Sequence, residues 1–124
     1  MHDATEYGIW GGLHELAKAA GLGLVAHRDQ IVTTPSALEV CRLFGIDPFS
    51  SISEGTMIAI VRPHAAREAL ARLNDHGIRA SICGEMLDAV KGISVVEEGR
   101  KRALEHPGVD PFWEAFFSAL KKPA

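Results

Sequence analysis

Apolar residues recur along this chain at helical spacing in four segments, and the residues at their ends are typical of helix starts and stops. Thr34 and Asp110 each precede a proline, an order in which the side chain caps free N–H groups and the proline fits the first turn. Gly21, Gly45 and Gly77 follow the periodic residues, and glycine commonly closes a helix. The predicted helices cover residues 9–20, the segment between 35 and 45, residues 64–75, and a last segment that begins at 111.

Shorter apolar runs between these segments predict strands. The run at 56–61 contains almost no polar residue, which is typical of a central strand buried on both faces. The predicted strands cover residues 22–26, 56–61, 78–83 and 93–96, with a turn at 84–85, a bend at 97–100 and a returning segment at 101–104. Because helices and strands alternate, the pattern predicts an α+β fold in which helices cover a mixed β-sheet, as an α/β sandwich.

The composition is that of one globular domain over residues 1–124 and excludes several functional classes. Apolar residues make up 47% of the chain and charged residues 23%, an ordinary balance for a folded domain. The net charge of −3 gives no basis for binding nucleic acid through phosphate neutralisation, and the apolar runs are too short to cross a membrane. Cys41 and Cys83 lie in apolar patterns, so we expect buried free thiols in the reducing cytoplasm.

Candidate chemistry is concentrated in the first dozen residues, MHDATEYGIWGG, which directly precede the first predicted helix. A polar turn with glycines at a helix start can bind an anion, because free N–H groups and the helix dipole converge there. A plainer interpretation is that these residues only cap the helix, and Asp3 with Glu6 has the spacing of a capping box. Spacing alone favours capping.

The sequence of the first eight residues, MHDATEYG, resembles a known family motif, MHD-(P/A)-T-(E/R)-G-G. Further similar segments are CRLFGIDPF at 41–49, the Ser-Glu-Gly turn at 53–55 and the helix–strand unit at 63–85. Together they make the chain similar to the C-terminal domain of the AIR synthase-related superfamily, and above all to its HypE-like hydrogenase expression/formation members. The residues that match the motif are His2, Asp3, Ala4, Thr5, Glu6 and Gly8.

The resemblance implies a phosphate-binding loop. In the family, the loop of this motif faces bound phosphates or substrate in a cleft that the C-terminal domain closes. It therefore implies that a second loop, with Glu54 and Gly55, lies near the first. ATP and Mg²⁺ are implied cofactors when an N-terminal ATP-binding domain, expected to be absent here, completes the cleft. The implied ligand-binding residues are His2, Asp3, Thr5, Glu6, Gly8, Glu54 and Gly55.

Two departures from the family argue against catalysis by this chain unaided. Tyr7 stands where the motif has glycine, and a bulky side chain there is expected to fill the space of a phosphate or to block a positive φ angle. HypE-type proteins end in a cysteine that accepts the carbamoyl group, whereas this chain ends in Lys-Lys-Pro-Ala. No catalytic residue and no metal-ligand spacing is assigned, and the six histidines are scattered.

The expected function is that of a stand-alone C-terminal domain that binds a phosphate-bearing ligand or nucleotide at the first loop. Two alternatives stay open. One is half of an ATP-dependent enzyme that a separately encoded N-terminal domain completes, in a reaction like hydrogenase maturation. The other is a purely structural dimeric module. Self-association as a homo-oligomer would bury an exposed sheet edge or the aromatic side of the last helix. Neither nucleic acid nor membrane is an expected partner.

Overall fold

A computed structural model describes residues 1–121 of the chain. The position of residues 121–124 at the end of the chain predicts a frayed tail, and residues 122–124 of it lie outside the described residues. The chain forms two compact units. The first consists of Met1–Leu16, Thr33–Ile58 and the described part of 105–124, and the second of Ala17–Val32 and Ala59–Leu104.

Four helices and six strands make up the regular structure of the described residues, with two single turns of 3₁₀-helix at Arg28–Gln30 and Ala89–Lys91. The helices are α1 (Gly8–Ala20), α2 (Pro35–Phe44), α3 (Pro63–Asp75) and α4 (Pro111–Leu120). The strands are β1 (His2–Asp3), β2 (Gly23–His27), β3 (Met57–Ile58), β4 (Gly84–Leu87), β5 (Ile93–Glu97) and β6 (Arg100–Ala103).

The second unit is built on a four-stranded sheet in the order β4-β2-β5-β6. Strands β2 and β5 run parallel, with Ala26 opposite Val95, while β4 and β6 join them antiparallel. Ala26 and Val95 are fully buried, and the hydroxyl of buried Ser94 donates to the Leu24 carbonyl at 3.1 Å, so its polar group is satisfied. The mixed sheet confirms the predicted α+β class.

The strand predicted at 78–83 is wrong, because the ladder begins later, at the residues predicted to turn. Gly84 and Glu85 are the first residues of β4 and pair with β2. A Cβ atom at Gly84 would lie 2.3 Å from the Val25 carbonyl oxygen, so the two strands approach at a distance that only glycine permits. The glycine that suggested a turn is therefore the contact point of the sheet.

The strand predicted at 56–61 is reduced to the two residues of β3, which pair antiparallel with β1 in the first unit. Since β1 also has only two residues, the ladder has no further partner. Ile60 and Val61 are exposed, so the predicted central, doubly buried strand is wrong.

Helices α2 and α4 begin where their capping residues predict. The Thr34 hydroxyl accepts a hydrogen bond from Ala37 N–H at 3.2 Å, and Gly45 ends α2 in the left-handed conformation. Asp110 caps α4. The aromatic spacing in the last helix predicts that most of this side is core and that part is a contact surface. The first part is wrong, because the large apolar residues Trp113, Phe116, Phe117 and Leu120 are exposed.

Both cysteines are free, as expected, but half-buried rather than buried. Desolvation raises the pKa of the Cys83 thiol, which leaves little reactive thiolate at neutral pH. A packed, unreactive thiol is therefore the better interpretation of Cys83. Within residues 1–121, no helix has the length and apolar content that crossing a bilayer requires.

Candidate functional site

The structure places the two loops singled out by the sequence side by side. We call residues 2–8 the first loop and residues 53–56 the second loop. Ala4 N–H donates to the Thr56 carbonyl, and Ser53 N–H donates to the Thr5 carbonyl, both at 2.9 Å. The Ser53 hydroxyl donates to Thr56 Oγ1 at 2.8 Å, which stabilises the turn of the second loop. Backbone bonds therefore fix the two loops against each other.

Three carboxylates are exposed on these loops, and we call them the acidic rim: Asp3, Glu6 and Glu54. Thr5 between them is half-buried, and Ala4 is 1% exposed, so it anchors the first loop in the core. Carboxylate oxygens are ligands for hard divalent cations, and they repel an uncompensated phosphate. No group of three or more His, Cys, Asp or Glu side chains within residues 1–121 is placed to hold a metal ion.

Neighbouring backbone carbonyl groups leave no room for a side chain at Gly8. A Cβ atom there would lie 2.6 Å from the carbonyl oxygens of both Phe49 and Ser51, and its φ is +57°. Gly11 and Gly12 likewise face protein atoms, since added Cβ atoms would lie 2.5 Å from Tyr7 Cβ and 2.9 Å from Ile58 Cδ1. Close packing of the chain on itself therefore accounts for these glycines without a ligand.

Asp110 has a second contact beyond the helix cap that the sequence predicts. Its buried carboxylate, 3% exposed, accepts from Phe112 N–H at 2.9 Å through Oδ1 and from Tyr7 N–H at 2.8 Å through Oδ2. One carboxylate thus joins the start of α4 to the entrance of α1. Nothing in the sequence signals the second bond, because Tyr7 lies 103 residues away.

Asp3 and Glu6 do not cap α1 in the way their spacing suggests. The helix starts at Gly8, beyond both residues, and Trp10 N–H donates to the Phe49 carbonyl at 2.9 Å. The N–H groups at this helix entrance are therefore bonded to Asp110 and Phe49 instead of the predicted capping box.

Tyr7 adopts the positive φ angle that its side chain was expected to block. Its φ is 62°, and its ring lies edge-on to the ring of His106 with centroids 4.7 Å apart. A non-glycine residue in this region costs about 1 kcal/mol or more, so the surrounding contacts must hold it there. The tyrosine keeps the backbone shape that glycine would adopt.

His2 is paired with Glu15 of α1. His2 Nε2 lies 2.6 Å from Glu15 Oε2, and His106 Nε2 lies 3.6 Å from Glu15 Oε1. The ring of His14 lies 5.4 Å from that of His106. Glu15 therefore connects His2 of the first loop with the segment before α4.

Comparison with known proteins finds a family whose sequence pattern includes both loops, and solved structures with the same fold. The family described as AIR synthase related protein, C-terminal domain, matches residues 1–97. A carbamoyl dehydratase HypE from Bradyrhizobium diazoefficiens is 36% identical over 76 residues, which are 61% of this chain and 22% of that protein. The crystal structure of HypE from E. coli, a hydrogenase maturation protein, superposes with a TM-score of 0.78 at 33% identity and covers 89% of this chain.

A structure of the hydrogenase maturation protein HypE in complex with ATP has a TM-score of 0.75 at 24% identity, covers 85% of this chain, and shows a shared fold. The chain spans between 22% and 35% of the length of these relatives. The family match includes both loops and three of the four strands of the larger sheet, β2, β4 and β5 through Glu97, and leaves out β6 and α4. The chain therefore belongs to the family of AIR synthase related protein C-terminal domains, and its similarity is to the HypE-like members.

Proposed function

We propose that this chain is the C-terminal module of a HypE-like hydrogenase maturation protein and that its two loops contact a magnesium-bound nucleotide. The observation that carries the proposal is the pairing of the loops by the Ala4–Thr56 and Ser53–Thr5 backbone bonds. All three carboxylates of the acidic rim lie on these two loops, within the first unit.

The charge of the rim favours a nucleotide with a divalent cation over a bare phosphate. Three exposed carboxylates repel an anionic phosphate unless a cation lies between them. Mg²⁺ usually binds through one or two carboxylates together with the phosphates of its substrate, so it does not need a complete protein site. Asp3 and Glu54 are the residues that would hold it, and the ion would neutralise phosphate charge. A complex of HypE with ATP, although it shares only the fold, is consistent with this ligand.

Catalysis would need the part of the protein that corresponds to the remaining length of its relatives. The HypE relative is described as a carbamoyl dehydratase, and this chain spans 22% of it. We propose that an N-terminal ATP-binding part, on the same chain or supplied in trans, holds most of the nucleotide, while the two loops close over its phosphates.

The exposed apolar side chains of the first unit fit such a partner. Leu43 and Phe44 of α2 and Phe117 and Leu120 of α4 are each more than half exposed. Exposed apolar groups of this size commonly mark an interface. We propose that the N-terminal part covers them, and that the isolated chain covers them by self-association.

Calorimetric titration of the 124-residue chain with MgATP tests the nucleotide proposal. Asp3→Asn and Glu54→Gln each remove one rim charge without a large change in volume, and we expect each to weaken binding by roughly tenfold, as for a lost charge-assisted contact. Glu39→Gln is the matched control, since Glu39 is an exposed carboxylate of α2. Equal affinities for all four proteins would contradict a role of the rim.

A further inference from the structure

The segment just before α4 holds the first loop through two groups that act on the same residue. We call residues 106–110 the clasp. The Asp110 carboxylate accepts from Tyr7 N–H, and the His106 ring packs edge-on against the Tyr7 ring. Gly108 N–H donates to His106 Nδ1 at 3.1 Å, and Val109 N–H donates to the Pro107 carbonyl at 2.8 Å, so the clasp is itself a tight, bonded turn.

Glu15 adds a third connection between the clasp and the first loop. It lies between His106 of the clasp and His2 of the first loop, at 3.6 Å and 2.6 Å. The clasp also lies beyond residues 1–97, so the family match does not account for it.

The residue that the clasp holds is in a conformation that it would not adopt by itself. Tyr7 has a φ of 62°, and its Cβ lies where a side chain at position 11 would be, so Gly11 is required beside it. Backbone strain of this kind persists only where surrounding contacts determine it, and loss of those contacts lets the residue relax. Because the Tyr7 ring and N–H both bind the clasp, release of the clasp would free the Tyr7 end of the first loop, while Ala4 and Thr5 stay bonded to the second loop.

We propose that the clasp is an autoinhibitory contact in which the Asp110 carboxylate occupies the entrance of α1 as an internal anion. If the first loop contacts the phosphates as proposed above, a phosphate at this helix entrance would compete with Asp110 for the Tyr7 N–H, and two anions at one helix end repel each other. Nucleotide binding and clasp closure therefore oppose each other, and release of the clasp raises affinity. The ligand in this inference rests on the proposed function, while the contact itself does not.

Asp110→Ser separates the two bonds of Asp110. A serine hydroxyl still caps α4 through Phe112 N–H, but its side chain is shorter and has a single oxygen, so it cannot also reach Tyr7 N–H as the second carboxylate oxygen of Asp110 does. We expect the Tyr7 amide to exchange with solvent at least roughly tenfold faster than in the wild type, because a hydrogen bond to a charged group is lost. We expect the affinity for MgATP to rise by a similar factor, measured by calorimetry.

Two further variants make the test independent of simple destabilisation. Thr34→Ala removes the cap of α2 and lowers stability, but should leave the Tyr7 amide as protected as in the wild type. Asp110→Asn keeps the size of the side chain and removes its charge, so it tests competition between anions if the serine variant does not fold.

The outcomes distinguish the contact from the ligand. Unchanged Tyr7 exchange in Asp110→Ser overturns the clasp. Faster exchange with unchanged or weaker MgATP binding overturns the competition. Faster exchange with no nucleotide binding by any variant supports the contact and overturns the proposed function instead.

Discussion

Gly8 and Tyr7 are adjacent residues with positive φ angles, yet the chain has a different reason for each. Gly8 must be glycine because the carbonyl oxygens of Phe49 and Ser51 leave no room for a Cβ atom. Tyr7 does not have to be glycine because its side chain points to His106 and its strain is offset by bonds to the clasp. Two adjacent positions that look alike in the family motif therefore differ in what a substitution would do.

Gly8→Ala should strongly destabilise the protein. Its Cβ would lie 2.6 Å from two backbone oxygens, which cannot move as freely as a flexible side chain, and φ is also positive. We expect the free energy of unfolding, measured by urea denaturation, to fall by about 2–4 kcal/mol. Gly55→Ala is the control, because Gly55 has φ +74° but no atom within 4 Å of an added Cβ.

The control isolates the steric part of the effect, since both positions carry conformational strain. Gly55→Ala should cost only about 1 kcal/mol. If the two variants lost equal stability, the close approach of the Phe49 and Ser51 carbonyls would not be the reason for Gly8.

At the scale of elements, the sequence predicts helices better than strands. Helix α2 follows the pattern from Thr34 to Gly45 because both ends are specified by local chemistry, a hydroxyl cap and a left-handed glycine. β3 and β4 depend instead on partners distant in sequence. β3 consists of the two residues that pair with β1, Met57 and Ile58, and β4 starts at Gly84, where the ladder with β2 begins. Apolar composition carries no information on either partner.

The candidate site also has a part that local sequence predicts and a part that depends on residues distant along the chain. The residues of both loops could be predicted from the sequence, and the structure brings the two loops together through backbone hydrogen bonds. Contacts between distant segments could not be predicted from the sequence. They are the hydrogen bond between Asp110 and Tyr7 and the contacts of Glu15 with His2 and His106. The Asp-Pro order predicts that Asp110 caps α4, but it gives no sign of the hydrogen bond from Tyr7 N–H to the same carboxylate.

Charged side chains protect the edge strand β6 from pairing with another chain. β6 lies at an edge of the four-stranded sheet, and its residues Arg100, Lys101 and Arg102 are exposed. Charged side chains on an edge strand oppose pairing with another chain. Arg102 also lies 3.3 Å from Glu97 across the hairpin. This edge is therefore a poor candidate for self-association.

At the scale of the whole molecule, the exposed apolar surface predicts association of the isolated chain. Leu43 is 76% exposed and Phe117 is 53% exposed, and burial of such side chains against another copy is favourable. We expect sedimentation velocity to show larger species as the concentration rises, and Leu43→Ser with Phe117→Ser to reduce them. Val90→Ser is the matched control, because Val90 is 90% exposed and lies in the second unit.

A single monomeric species at high concentration would contradict the proposed need for a partner surface. A reduction by Val90→Ser equal to that of the double variant would instead mean that apolar exposure in general, and not the faces of α2 and α4, causes the association.

The central claim is that the paired loops bind a nucleotide through a divalent cation, and the dependence of ATP binding on Mg²⁺ tests it most directly. The measurement is calorimetric titration of the 124-residue chain with ATP, once with excess Mg²⁺ and once with EDTA. The account predicts binding with Mg²⁺ and little or none without it, because the carboxylates of Asp3, Glu6 and Glu54 repel the free triphosphate. Equal binding in both titrations, or no binding at millimolar MgATP by either the wild type or Asp110→Ser, would contradict it.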